Sequence, residues 1–167
     1  MSDRAIPIDG RSYQVDGRAV ARRVIPDSVA SRPDDNNESE VTGKFGLQIE
    51  TKEFWPSIGA RISGNTSDAT RAYLQNEDGS TTISDVDISN LSAGDAVAFD
   101  DADLNANDKY RIVIDGEGSS FTVGVNTDAD DYPYTSDAVD IIDRVDGGST
   151  DGGNALGFVE IGNVGLD

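Results

Sequence analysis

The sequence predicts an all-β protein whose main body is an antiparallel β-sandwich. Short runs alternate apolar and polar residues, and Lys109–Asp115 is the clearest of them. In an extended strand its residues Tyr110, Ile112 and Ile114 would point to one side. Clusters of Gly, Asp and Asn separate such runs at spacings of roughly 8–12 residues, and the body has no convincing helical period. This combination is typical of sandwiches and barrels built from short strands.

The runs and the turns between them predict the strands of the body one by one. The Asp-Gly pairs in NEDGS (76–80) and DGEGS (115–119) are signals for hairpin turns, because glycine adopts positive φ at low cost. Pro56 ends the first run, so a bulge or corner is expected beside it. The predicted strands are Lys44–Phe54, Ile58–Ile62, Thr70–Asn76, Thr82–Ile88, Asp95–Phe99, Lys109–Asp115, Ser120–Val125, Val139–Asp143 and Leu156–Val164.

The first 33 residues differ from the rest in charge. They carry six arginines against four aspartates, a net charge of +2, which leaves −21 for the other 134 residues. Two Asp-Gly pairs seven residues apart predict two tight turns around a short strand, Arg11–Val15. The polar run Ser31–Glu40 is predicted to be a linker or exposed loop. We therefore divide the chain into an N-terminal basic arm and linker, residues 1–43, and a β-sandwich domain, residues 44–167.

The sequence allows two interpretations of the arm. It is either an ordinary hairpin that packs on its own domain, or an attachment arm that docks on the acidic surface of a neighbouring subunit. In the second case, arginines would pair with carboxylates as bidentate forks, which keep some strength in high salt. The candidate attachment residues are Arg11, Arg18, Arg22 and Arg23.

The overall composition predicts a protein adapted to high salt. Of the 32 acidic residues 25 are aspartate, and only three of the 13 basic residues are lysine, which leaves a net charge of −19. In molar salt the Debye length falls to about 3 Å, so dense surface carboxylates no longer repel each other strongly. The alternative is a disordered acidic chain. The regular apolar runs and the 36% hydrophobic content favour a folded halophilic protein.

The composition argues against several functional classes. The chain has no Cys and no His, so thiolate nucleophiles, cysteine metal sites and imidazole bases are absent. The strong negative charge disfavours nucleic acid and anionic membranes as partners. No apolar run is long enough for a transmembrane helix, and the N-terminus does not resemble a signal peptide, so we expect the protein to be made in the cytoplasm. We expect no enzymatic activity.

Calcium is the one cofactor for which the sequence contains candidate ligands. Asp101, Asp103, Asn105 and Asn107 alternate like the start of a calcium loop, but Ala106 and Ile112 stand where an EF-hand needs Gly and Glu. A second cluster contains Asp128 and Asp130. Clusters are expected by abundance alone in a chain with 25 aspartates. We therefore predict no bound metal, with Asp101, Asp103, Asp128 and Asp130 as the weak calcium candidates.

Aromatic residues near predicted loops are candidates for glycan contact. Tyr132 and Tyr134 flank Pro133 in the longest loop of the body, and Trp55 lies at a predicted strand corner. Exposed rings on sandwich loops can stack on sugar faces while nearby carboxylates bind the hydroxyls. The alternative is that Tyr134 and Trp55 close one end of the sandwich.

Three runs of the body carry a family resemblance: Ala72–Gly124, Tyr132–Ile141 and Ala155–Val164. With their LSAGD turn, KYRIVIDGEGSS segment and YPYTSD loop, they resemble domains in virion proteins of haloarchaeal tailed viruses, which are similar to jelly-roll domains of carbohydrate-binding modules. The resemblance covers about residues 45–165. It implies a jelly-roll-like body in a homo-oligomeric structural component of the tail, baseplate or capsid surface, in contact with other virion proteins and host surface glycans.

The small size and the lack of a shaft repeat depart from a typical tail fibre. The alternatives are a cellular carbohydrate-binding or surface-layer adhesion module, and a glycan depolymerase using two carboxylates.

Overall fold

The computed structural model describes residues 13–15, 18–20, 24–32, 37–63, 71–125, 132–146, 149–150 and 157–166. Within them all regular structure is β-strand, and the paired strands are antiparallel, so the predicted all-β class is confirmed. Among the described residues, no helix is long and apolar enough to cross a membrane.

The strands, in chain order, are β1 Tyr13–Val15, β2 Arg18–Val20, β3 Val29–Ser31, β4 Asn37–Thr42, β5 Lys44–Thr51, β6 Ile58–Ile62, β7 Arg71–Asn76, β8 Thr82–Asp87, β9 Ala96–Phe99, β10 Lys109–Asp115, β11 Phe121–Val125, β12 Val139–Asp146, β13 Ser149–Thr150 and β14 Phe158–Gly162. The pair β1–β2 forms a hairpin, as predicted, and is a separate two-stranded sheet.

Two sheets form the sandwich. One has the order β12-β5-β10-β7-β8 and the other the order β3-β14-β6-β9. Their inner faces share one apolar core, in which Leu47, Ile112 and Phe99 are fully buried. At the two sides, β8 lies against β9 and β3 lies against β12. The sandwich prediction is therefore confirmed, and the alternation predicted for Lys109–Asp115 places Ile112 and Ile114 in that core.

The third sheet, β11-β4-β13, continues the five-stranded sheet. β4 is followed directly by β5, with Gly43 between them at φ 99°. In the same way β10 precedes β11 and β12 precedes β13 along the chain, and the lateral order is the same in both sheets. Three neighbouring chain segments thus run from one sheet into the next, and glycine provides the bend in the central one.

The hairpin predicted around DGEGS is wrong. Asp115 pairs with Lys44, and Phe121 pairs with Val41, so both flanking strands lie beside the same partner segment. Five residues, 116–120, therefore stand opposite two residues, 42–43, in an enlarged bulge. The Asp115 carboxylate accepts a hydrogen bond from the Glu117 backbone N–H at 2.8 Å, and Glu117 has φ 53°. An Asx-type turn is thus inserted into a bent strand. The NEDGS hairpin, which joins β7 to β8, is confirmed.

The structure also differs from the predicted linker. β3 belongs to the four-stranded sheet through its pairing with β14, and β4 pairs with β11 and β13. Residues Val29–Ser31 and Asn37–Thr42 are therefore part of the body, although residues 1–43 were predicted to be arm and linker. Polar residues hid these strands, because their backbone pairing needs no apolar side chain.

A substitution at Gly59 tests a close approach between β6 and the chain that follows β14. An added Cβ would lie 1.8 Å from the carbonyl oxygen of Val164, so backbone would have to move. We expect Gly59→Ala to lower the free energy of unfolding by about 3 kcal/mol, the upper part of the usual range for overpacking. Thermal melts in molar salt, followed by circular dichroism, would measure the loss.

Gly94→Ala is the matched control. Gly94 has φ 87° and open space where its Cβ would be, so only conformational strain of about 1 kcal/mol is expected. Equal losses in the two variants would contradict the close approach at Gly59.

Candidate functional site

The candidate site lies where the segment before β4 runs along the edge of β14. We call residues Ser28–Arg32 the strap. Ser28, Ala30 and Arg32 are buried, whereas Val29 and Ser31 between them are exposed. This alternation is that of a strand bound with one face inward. It reverses the hydrophobic pattern of the sequence, since serine and arginine point inward and valine points outward.

Backbone hydrogen bonds fix the strap along β14. β3 pairs with Glu160, Ile161 and Gly162, and the Arg32 N–H donates to the Val159 carbonyl at 2.8 Å. At the other end, the Asn163 N–H donates to the Ser28 carbonyl at 2.8 Å. The strap is therefore the outer strand of the four-stranded sheet along its whole length.

The Ser28 side chain joins the strap to the loop before β12. Its hydroxyl shares a hydrogen bond of 2.6 Å with the Ser136 hydroxyl and accepts one of 3.0 Å from the Ala138 N–H. Lys52 approaches the same loop, because its Nζ lies 2.8 Å from Asp140 Oδ1 and donates to the Ser136 carbonyl at 2.7 Å. Residues 136–140 are thus held from two directions.

Arg32 is the centre of the arrangement. Its side chain is fully buried, and its guanidinium carbon lies 5.1 Å from the ring centroid of Tyr132 and 5.8 Å from that of Tyr134. The two rings meet edge to face with centroids 5.4 Å apart. These distances are within the range of cation–π and aromatic pair interactions. A buried arginine thus connects the strap to the YPY loop.

This geometry changes what the two tyrosines can do. Tyr132 and Tyr134 are only partly exposed, and both pack against the core. Tyr134 also forms a two-way backbone bridge with Ile141, with both N–H···O distances at 2.9 Å. The rings proposed as glycan contacts are therefore also structural contacts of Arg32.

Trp55 is not a surface ring, and its prediction as a glycan contact is corrected. Its side chain is fully buried in the core, and its indole N–H donates to the Ala138 carbonyl at 3.1 Å. Its backbone forms a bridge with Leu104. The tryptophan closes one end of the sandwich, which was the alternative, because a ring with no exposed face cannot stack on a sugar.

The predicted attachment arginines lie at the edge of what the structure describes. Arg18 is the first residue of β2, and only its backbone is described. Arg11, Arg22 and Arg23 lie outside the described residues. The contacts of these four side chains therefore stay predictions.

The weak calcium candidates divide in the same way. Asp101 and Asp103 are exposed, with φ values of 51° and 49°, whereas Asp128 and Asp130 lie outside the described part of the chain. Thr51 anchors the first loop, because its hydroxyl donates to the Asn105 carbonyl at 2.5 Å. Within the residues that the structure covers, no group of three His, Cys, Asp or Glu side chains is placed to hold a metal ion.

An open groove of about 380 Å³ lies where the β7–β8 turn meets the start of β10. Hydrogen bonds from Ser80 hold the pKa of Asp78 below its usual value, while burial raises the pKa of Tyr110. At neutral pH Asp78 is therefore ionised, while the Tyr110 phenol keeps its proton. Its lining residues are Asn76, Glu77, Asp78, Asp108, Lys109 and Tyr110.

Comparisons of the chain with protein-family models, curated proteins and solved structures found no match.

The strap was not predicted from the sequence. Tyr132 and Tyr134 were singled out, but their partner Arg32 was assigned to a linker. The only local signal was its position immediately before Pro33, where the backbone is usually extended. Hydrophobicity could not reveal a strand whose largest inward side chain is an arginine.

Replacing Arg32 tests how much the strap stabilises the body. Arg32→Ala removes a large, fully buried side chain, so we expect the free energy of unfolding to fall by about 2–4 kcal/mol. Arg61→Ala is the control, since Arg61 forms a half-exposed pair with Glu160 that is worth about 1 kcal/mol or less. Urea unfolding in molar salt would measure both. Equal small losses would mean that Arg32 does not anchor the strap.

Removing divalent cations tests structural calcium. Because clusters of aspartate are expected by abundance alone in this chain, we expect the melting temperature to be the same with and without a chelator at constant NaCl. A fall that added calcium reverses would assign the metal to one of the two predicted loops, and substituting Asp101 or Asp128 would identify which.

Proposed function

We propose that this chain is a non-enzymatic structural component of a halophilic virus particle, attached through its N-terminal segment. The observation that carries the proposal is a division of charge. Residues 1–23 hold five arginines and three aspartates, whereas the whole chain has a net charge of −19. The hairpin β1–β2 in this segment forms a sheet of its own, apart from the sheets of the body. A basic element beside an acidic body is suited to contact the acidic body of a neighbour.

The acidic surface is evidence for the proposed high-salt environment. In the part of the chain whose burial the structure gives, every carboxylate is exposed or partly exposed. The sandwich core beneath them is continuous and apolar. Such a surface is soluble when salt screens its repulsion, and the core needs no charge pairs to hold together.

The assignment to a virus particle rests on the resemblance of residues 45–165 to virion domains of haloarchaeal tailed viruses. A β-sandwich with an extended N-terminal element is suited to repeated, symmetric placement on a particle. The cellular surface module is the competing function, and the following experiment separates the two.

The test is to locate the protein in a culture that produces particles. After density-gradient fractionation in molar salt, an antibody against the chain should detect it in the particle fraction, at a constant ratio to the major capsid protein. Immunogold labelling should then place it on the particle. Recovery in the cell envelope of a culture without particles would contradict the proposal and favour the surface module.

A truncation tests the role of the N-terminal segment. Deletion of residues 1–23 removes β1 and β2 but keeps Val24 and the strap. We expect the shortened body to melt as the full chain does, yet to be absent from particles when it is produced in place of the full chain. A full-length variant with Arg11, Arg18, Arg22 and Arg23 changed to glutamine is the charge control. Normal incorporation of the truncated chain would refute attachment through this segment.

A further inference from the structure

We propose that the edge of β14, with the loop at residues 132–138, is a peptide-binding groove. In an assembly it takes the strap of a second copy of this chain in place of its own. This inference rests on the proposed role of the N-terminal segment in assembly, and it names the contact through which that segment would join two copies.

The strap is bound in the manner of a peptide ligand added to a sheet edge. In that mode, main-chain hydrogen bonds supply affinity and pockets for alternate side chains supply specificity. Both parts are present here. The backbone pairs with β14, and Ser28, Ala30 and Arg32 enter the groove at every second position.

The groove recognises the strap through specific side-chain contacts. Ser136 and Ala138 bind the Ser28 hydroxyl, and Tyr132 and Tyr134 receive the Arg32 guanidinium. A buried arginine held by aromatic rings is a common anchor of protein interfaces. At Gly162 a Cβ would lie 2.2 Å from the Ser28 carbonyl oxygen, so the groove needs glycine for the strap backbone to approach.

A second copy is the occupant that fits these contacts. A strap from another molecule presents the same residues, so exchange replaces each contact by an identical one and needs no new surface. Only the four residues 33–36 separate Arg32 from β4, and their sequence, Pro-Asp-Asp-Asn, is typical of a turn or loop and not of a strand. The segment that the strap would carry across is the basic one, residues 1–23, which is suited to an acidic neighbour.

The absence of cysteine from the chain permits a clean test by disulfide trapping. Ser31 lies directly opposite Glu160 in the β3–β14 pair, and opposite residues of antiparallel strands have Cα separations that suit a disulfide. The double variant S31C/E160C would be allowed to assemble in molar salt and then oxidised with copper phenanthroline. Strap exchange predicts that the monomer band is lost into covalently linked dimers, or into a longer ladder where exchange does not close, on a non-reducing gel.

Mixing two single variants identifies the linked residues. S31C and E160C chains, assembled together and oxidised, should form a heterodimer whose disulfide-linked peptides contain positions 31 and 160. The control is a mixture of S80C with E160C, because Ser80 lies in the exposed β7–β8 turn, and little heterodimer is expected there. Melting of E160C alone verifies that losing the Arg61 pair leaves the fold intact.

The outcomes separate this inference from the proposed function. If the double variant gives only monomers with an internal disulfide, and the S31C mixture gives no more heterodimer than the S80C mixture, exchange is refuted, while localisation on particles still stands or falls by fractionation. Covalently linked dimers or ladders formed by a chain that is absent from particles would keep the exchange and refute the virion role.

Discussion

The structure depends on the burial of one face of β5 and β10 between two sheets. Leu47, Ile112 and Leu74 lie side by side across three neighbouring strands, and all three are fully buried. Because strand side chains alternate, a shift of one residue in this pairing would turn the whole row toward water. The row therefore fixes the register of the central strands, and the outer strands and loops take their positions from it.

Alternation made much of this fold predictable. Lys109–Asp115 and Ile58–Ile62 were both predicted and observed as strands, because their apolar residues recur at every second position. DGEGS was misread because an Asp-Gly pair indicates a local turn but does not say which strands pair beyond it. Its flanking strands, β10 and β11, lie beside β5 and β4 respectively, and such pairing between distant residues leaves no local signal.

The candidate site was less predictable than the fold. Tyr132 and Tyr134 were recognised as important, but nothing in the local pattern indicates that Arg32, a hundred residues earlier, lies against them. Trp55 was expected at a corner and is there, yet its ring faces inward. In both cases the deciding quantity is burial, which depends on distant segments. A polar strand such as β3 is recognised only when its partner strand is known.

In the proposed assembly, high salt would give the strap more weight than the surface arginines. At molar ionic strength, exposed charges more than about 3 Å apart are largely screened, so surface ion pairs hold two chains weakly. The contacts of the strap are of another kind, because the Arg32 guanidinium is fully buried beside two rings and the backbone is hydrogen-bonded to β14. Salt screens such contacts much less, and it strengthens the burial of apolar atoms when its anions are kosmotropic. In the proposed particle the acidic surface would keep the assembly soluble, while a buried strand would hold neighbouring copies together.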